Sequence, residues 1–109
     1  MQFKIKHIVD IIFNKMLTWR EHLHAHPELS FQEHNTSAYV ASKLKEFNIP
    51  YNDGIAGTGL VALIKGRNPE KRCIALRADL DALPIYEENE VPYKSKNEGV
   101  MHACGHDVH

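Results

Sequence analysis

Two amphipathic stretches followed by two short apolar runs predict a sheet covered by helices, in the α/β or α+β class. Three observations carry that expectation. Ile5, Ile8, Ile12, Trp19 and Leu23 recur at steps of three or four, with Val9, Phe13 and Met16 widening the stripe. Val40, Ala41, Leu44 and Phe47 repeat the pattern further on. Leu60–Ile64 and Cys73–Ala78 are apolar runs of strand length separated by turn residues. Two strands cannot make a stable sheet alone, so the sheet is expected to be incomplete within this chain.

Each element has its own boundary signals. The first helix is expected from about Ile5 to Ala25, because Pro27 cannot continue it. The second is expected to start at Ser30 as N-cap, with Glu33 three residues on completing a capping box, and to end near Asn48 before Pro50. The loop Gly54-Ile-Ala-Gly-Thr-Gly59 resembles a phosphate loop only in its glycines. It precedes a strand and does not open a helix, so the helix N-terminus that would hold phosphate is missing. Leu60–Ile64 and Cys73–Ala78 are expected to pair as a hairpin across the turn at 66–71, with Cys73 a small buried hydrophobe. From Tyr86 to Gly99 the chain is polar and irregular, with no repeat and no internal domain boundary.

Composition narrows the function. The 109 residues are 43% hydrophobic and 25% charged, ordinary for a soluble domain. The net charge of −1 offers no basic field for nucleic acid or anionic lipid. No apolar run is long enough to span a bilayer, and the N-terminus reads as no signal peptide, so a cytoplasmic setting with free thiols is expected. The unusual feature is histidine. There are eight, clustered as His22, His24, His26 and then His102, His106, His109.

The segment His102-Ala-Cys-Gly-His-Asp-Val-His109 holds the densest set of metal donors. Residues two apart in an extended segment point the same way, so Cys104 and His106 can reach one ion, with Gly105 giving the backbone room to turn. Thiolate and imidazole suit zinc and its neighbours. Asp107 or His102 could supply hydrogen bonds that fix the imidazole tautomer. Asp79 and Asp81, at the end of an apolar run, could orient a metal-bound histidine, serve as acid and base, or cap the turn before Pro84. His22, His24 and His26 have no carboxylate partners nearby in sequence. They are expected to sit solvated or hydrogen-bonded near a helix end, where the helix dipole favours positive charge.

Taken in order, Leu23-His-Ala-His-Pro-Glu-Leu-Ser-Phe31, Ala75-Leu-Arg-Ala-Asp-Leu-Asp-Ala-Leu-Pro84 and Met101-His-Ala-Cys-Gly-His-Asp-Val-His109 resemble the N-acyl-amino-acid amidohydrolases. That family includes hippurate hydrolases, N-acetyldiaminopimelate deacetylases and auxin-conjugate hydrolases, a branch of the zinc carboxypeptidase and aminoacylase superfamily. The resemblance runs from about Leu17 onward. It implies a three-layer α/β/α catalytic domain, of which residues 1–109 are the N-terminal, metal-binding segment. It implies two divalent ions per complete site, zinc or manganese with cobalt or nickel as alternatives, and hydrolysis of the amide bond of a small N-acyl amino acid. Cys104 and His106 match the family's metal ligands. Asp81 matches the Asp of the His-x-Asp pattern of related families and is the catalytic candidate, while Asp79 stands where those families place a histidine and has no assigned role.

The remaining ligands, the general-base glutamate and the smaller inserted domain used for dimerisation and closure have no counterpart here. The chain is therefore expected to be an inactive, poorly folded fragment of an enzyme that functions as a homodimer. A stand-alone structural zinc module and a truncated, functionless gene product are the competing readings.

Overall fold

The computed structural model describes residues 1–109 and has two helices, one hairpin and a long irregular C-terminal half. The order is α1 (Gln2–Ala25), α2 (His34–Glu46), β1 (Tyr51–Ile55) and β2 (Gly59–Ala62). This is a small α/β unit with a two-stranded antiparallel sheet. Its extents of 46 × 34 × 22 Å follow from α1, which projects from the rest. Only 12 residues are buried, and apart from Pro27 the apolar ones are Ala25, Ala41, Ala82 and Val100.

α1 forms where the apolar periodicity predicts and stops at His26, ahead of Pro27. Its C-terminal half packs: Trp19 and Leu23 are half-buried, and Trp19 meets Phe47 edge-to-face at 5.8 Å. Its N-terminal half carries Phe3, Ile5, Ile8 and Phe13 into solvent.

α2 starts later than Ser30. Phe31 adopts a left-handed φ of 62°, which a helix cannot accommodate, and the helix begins at His34. The expected capping box does not form. Glu28, five residues before the N-cap, accepts the orphan donors instead. Its Oε1 takes the Thr36 N–H at 2.6 Å and the Thr36 hydroxyl at 2.7 Å, and its Oε2 takes the Asn35 N–H and side-chain amide at 3.1 Å each. These bonds outweigh burial and hold the Glu28 carboxyl below its usual range. Glu33 is thereby free to turn inward, where its carboxylate accepts the Thr58 hydroxyl at 2.7 Å. α2 ends in a Schellman motif. Asn48 takes the left-handed position at φ 55°, and the Ile49 N–H reaches the Leu44 carbonyl at 2.9 Å.

The strand pairing differs from the sequence expectation. β2 does not pair with Cys73–Ala78 but folds back on β1, through the glycine-rich loop, with Tyr51 opposite Ala62 and Ile55 opposite Gly59. A Cβ on Gly59 would lie 2.7 Å from the Ile55 carbonyl oxygen, so only glycine closes this turn. Cys73–Ala78 forms no ladder. Ile74 is 84% exposed and Leu76 93%, and Cys73 is exposed instead of buried.

Beyond this segment the chain returns to the helices. The Ala82 N–H donates to the Glu28 carbonyl at 2.8 Å, forming a parallel bridge of Leu29 with Ala82. Leu83 and Met101 exchange both backbone bonds at 2.9 Å. Residues 81–83 are thus clasped between the α1–α2 connection and the histidine-rich C-terminal segment.

Candidate metal centre

The clasp at 81–83 sets the site. It places Asp81 beside His106, whose Nδ1 donates to the Asp81 carboxylate at 2.8 Å and lies 3.0 Å from the Asp81 carbonyl. With Nδ1 held as the donor, Nε2 is the nitrogen whose lone pair remains for a ligand. Asp79 Oδ2 lies 3.9 Å from that Nε2, and Arg77 pairs with the other Asp79 oxygen at 2.8 Å. Cys104 is exposed, two residues before His106, and the chain bends between them at Gly105 with φ 92°. A glycine tolerates that left-handed backbone without strain.

The donor chemistry fits a thiophilic divalent ion. An imidazole with one nitrogen fixed by a carboxylate and a nearby thiol are half of a four-donor shell. No three His, Cys, Asp or Glu side chains converge closely enough to hold an ion together.

The other members of the segment face elsewhere. Asp107 turns away from His106 toward α1, where it accepts from Arg20 Nε at 3.0 Å and from His24 Nδ1 at 2.8 Å. His102 is buried with neither ring nitrogen hydrogen-bonded. Burial pushes its pKa below the ordinary value; Asp107 and Asp81 oppose that, and His24 and His106 add to it.

His24 departs from the sequence expectation. It is not solvated at a helix end but only 4% exposed, and its Nε2 meets Glu87 at 2.8 Å while Nδ1 meets Asp107. Burial raises the Glu87 pKa, but bonds from His24, the Ser95 N–H and Asn89, with the charge of His24, bring it down to about 2. The partners of His24 lie 63 and 83 residues away, outside any local motif. His22 and His26 stay exposed, stacked at 4.5 Å, with Tyr39 against His22 at 3.9 Å. No helix is long and apolar enough to cross a membrane.

Known proteins share this arrangement of sequence and fold. The profile of peptidase family M20/M25/M40 matches residues 75–109, the stretch that holds Asp79, Asp81, Cys104 and His106. An N-acyl-L-amino acid amidohydrolase of Geobacillus stearothermophilus is 49% identical over 106 residues, 97% of this chain and 28% of that protein. An uncharacterized hydrolase of Staphylococcus epidermidis is 51% identical over 90 residues, 83% of this chain and 23% of its own length. Among solved structures, the YXEP protein of Bacillus subtilis, described as a dinuclear metal-binding peptidase from the M20 family, superposes with a TM-score of 0.82. It is 45% identical, and the alignment covers 92% of this chain and 28% of that one. The chain thus spans about a quarter of the length of the proteins it matches.

Proposed function

We propose that the chain belongs to the M20/M25/M40 peptidase family, whose profile matches residues 75–109, and that it is the N-terminal part of the catalytic domain of a metal-dependent amidohydrolase acting on N-acyl amino acids. The observation that carries the reading is the Asp81–His106 bond beside Cys104, within the stretch that matches the family. In this reading Cys104 and His106 hold metal, and Asp81 is the residue that fixes the His106 tautomer. The Asp81 carboxylate is engaged by His106 Nδ1, so the geometry favours orienting over acid–base work. A divalent ion, when bound, supplies Lewis acidity that lowers the pKa of water toward neutrality and polarises the amide carbonyl. Asp81 keeps the His106 Nδ1 proton in place, which leaves Nε2 as a neutral donor.

The substrate class rests on the name of the Geobacillus stearothermophilus relative, and the need for two ions on that of the Bacillus subtilis structure. We assign the remaining ligands and the proton-transferring carboxylate to sequence outside these residues. The competing zinc-module reading needs four protein donors in a closed site, and no three converge here.

The test is hydrolysis of hippurate and several N-acetyl amino acids by the full-length protein with zinc or manganese. Cys104→Ala and His106→Ala should each lose metal and more than about a hundredfold in kcat/KM, beyond the cost of an outer hydrogen-bond partner. Full metal content and turnover in Cys104→Ala would overturn the assignment.

A further inference from the structure

Outside the metal centre, the most completely bonded buried group is the imidazole of His24. Its two ring nitrogens each meet a carboxylate oxygen at 2.8 Å, Asp107 on one side and Glu87 on the other. Carboxylates accept, so both nitrogens must donate, and only the doubly protonated imidazole has two N–H groups. Each carboxylate also accepts from further donors: Arg20 Nε on Asp107, the Ser95 N–H and the Asn89 amide on Glu87. The side chains of Asp107 and Glu87 are almost completely buried, so the two cations and two anions balance one another within a low-dielectric knot. The rings of Tyr93 and His102 close around it, at 5.4 and 6.5 Å between ring centres.

The knot joins three separate segments. α1 gives Arg20 and His24, the irregular stretch gives Glu87, and the histidine-rich segment gives Asp107. Asp107 follows His106 directly. Around it the backbone makes a single local bond, Val108 N–H to the Gly105 carbonyl, and Gly105 is itself a flexible link. Beyond the Leu83–Met101 bridge, the presentation of Cys104 and His106 therefore depends on the side-chain anchors at either hand, Asp81 for His106 and His24 for Asp107.

We infer that His24 is a positioning residue: its imidazolium, braced by Glu87, holds Asp107 and so fixes the backbone from which Cys104 and His106 are presented to metal. This rests on the reading that Cys104 and His106 bind metal. A buried ion pair that served stability alone would weaken the fold when broken but would leave the geometry at the thiolate unchanged.

The experiment uses cobalt(II) as probe in the full-length protein, read by the thiolate-to-cobalt charge-transfer band and by cobalt affinity. Far-ultraviolet circular dichroism reports the fold. The unaltered protein should show a band that Cys104→Ala removes. His24→Gln should shift or weaken that band and lower cobalt affinity about tenfold, the scale of outer-partner losses, with helical signal retained. His24→Arg, which keeps the charge and several donors, should recover part of it. Glu87→Gln, at a residue remote from the metal segment in sequence, should act in the same direction more weakly, and it decides the matter if His24→Gln does not fold. An unchanged band and affinity in the folded His24 or Glu87 variant, beside a normal Cys104-dependent band, would overturn the positioning role and leave the metal reading intact. No Cys104-dependent band in the unaltered protein would overturn both.

Discussion

The two halves of α1 share one continuous helix and one apolar stripe, yet they are held by opposite means. The N-terminal half shows Phe3, Ile5, Ile8 and Phe13 to solvent and makes no long-range hydrogen bond. The C-terminal end buries His24 and Ala25 and is tied by charged bonds to Glu87 and Asp107. An apolar period says that a helix will form, whereas what fixes its position here is a set of polar bonds. Seven of the 12 buried residues are polar or charged, so specific donors and acceptors do what a hydrocarbon core does elsewhere.

That contrast can be broken most forcefully at Asp107. Asp107→Ala would leave the buried His24 and the half-buried Arg20 without their shared acceptor, and loss of one member of a buried charge group costs about 3–5 kcal/mol. Denaturant unfolding of the full-length protein measures it, and a loss under about 1 kcal/mol would show the knot to be incidental.

Acid probes the same end from Glu87. Its folded pKa of about 2 lies below the ordinary glutamate value of 4.5, so its stabilising contribution is complete above about pH 4.5 and is lost as pH falls through about 2. The amount is on the order of 3 kcal/mol. Glu87→Gln should flatten the acid limb of stability measured between pH 6 and 2, and an identical limb in the variant would count against the geometry.

Glu28 gives a smaller effect. Glu28→Ala leaves the Asn35 and Thr36 N–H groups without their acceptor and should cost about 1–2 kcal/mol, the scale of a lost N-cap. Thermal melting followed at 222 nm reports it. The smallest change is expected on the free half of α1, where Ile8→Ser should alter stability by less than about 0.5 kcal/mol. A loss of several kcal/mol in the full-length protein would mean that this face is covered there and would redraw the comparison.

The same division decides what was legible in the sequence. α1 and α2 follow from the spacing of Ile, Leu, Trp and Val, because periodicity is a local property. The start of α2 was not legible. Ser30 and Glu33 have the capping-box spacing, but Glu28 takes the donors from outside the pattern and Phe31 turns the chain left-handed before the helix begins. The hairpin partner was misread for a related reason. Tyr51-Asn-Asp-Gly-Ile55 looks like turn sequence, yet the glycines at 54, 57 and 59 let it fold against Gly59–Ala62. Cys73–Ala78 has the composition of a buried strand and here has nothing to pair with. In the candidate site, Asp81 and His106 were singled out by residue type, and their contact is one of the roles their chemistry allowed. His24 could not be found that way, because its partners are distant in sequence and only the folded chain brings them together.

The 83-residue separation of His24 from Asp107 also sets an order of events during synthesis. At typical elongation rates of about 5–20 residues per second, Asp107 is made roughly 4–17 s after His24. A helix the length of α1 can form in about a microsecond. The nascent chain therefore carries α1 with its cationic end unpaired and its apolar stripe bare for millions of helix-forming times. The histidine-rich segment is the last piece of this region to leave the ribosome, and its arrival closes the knot.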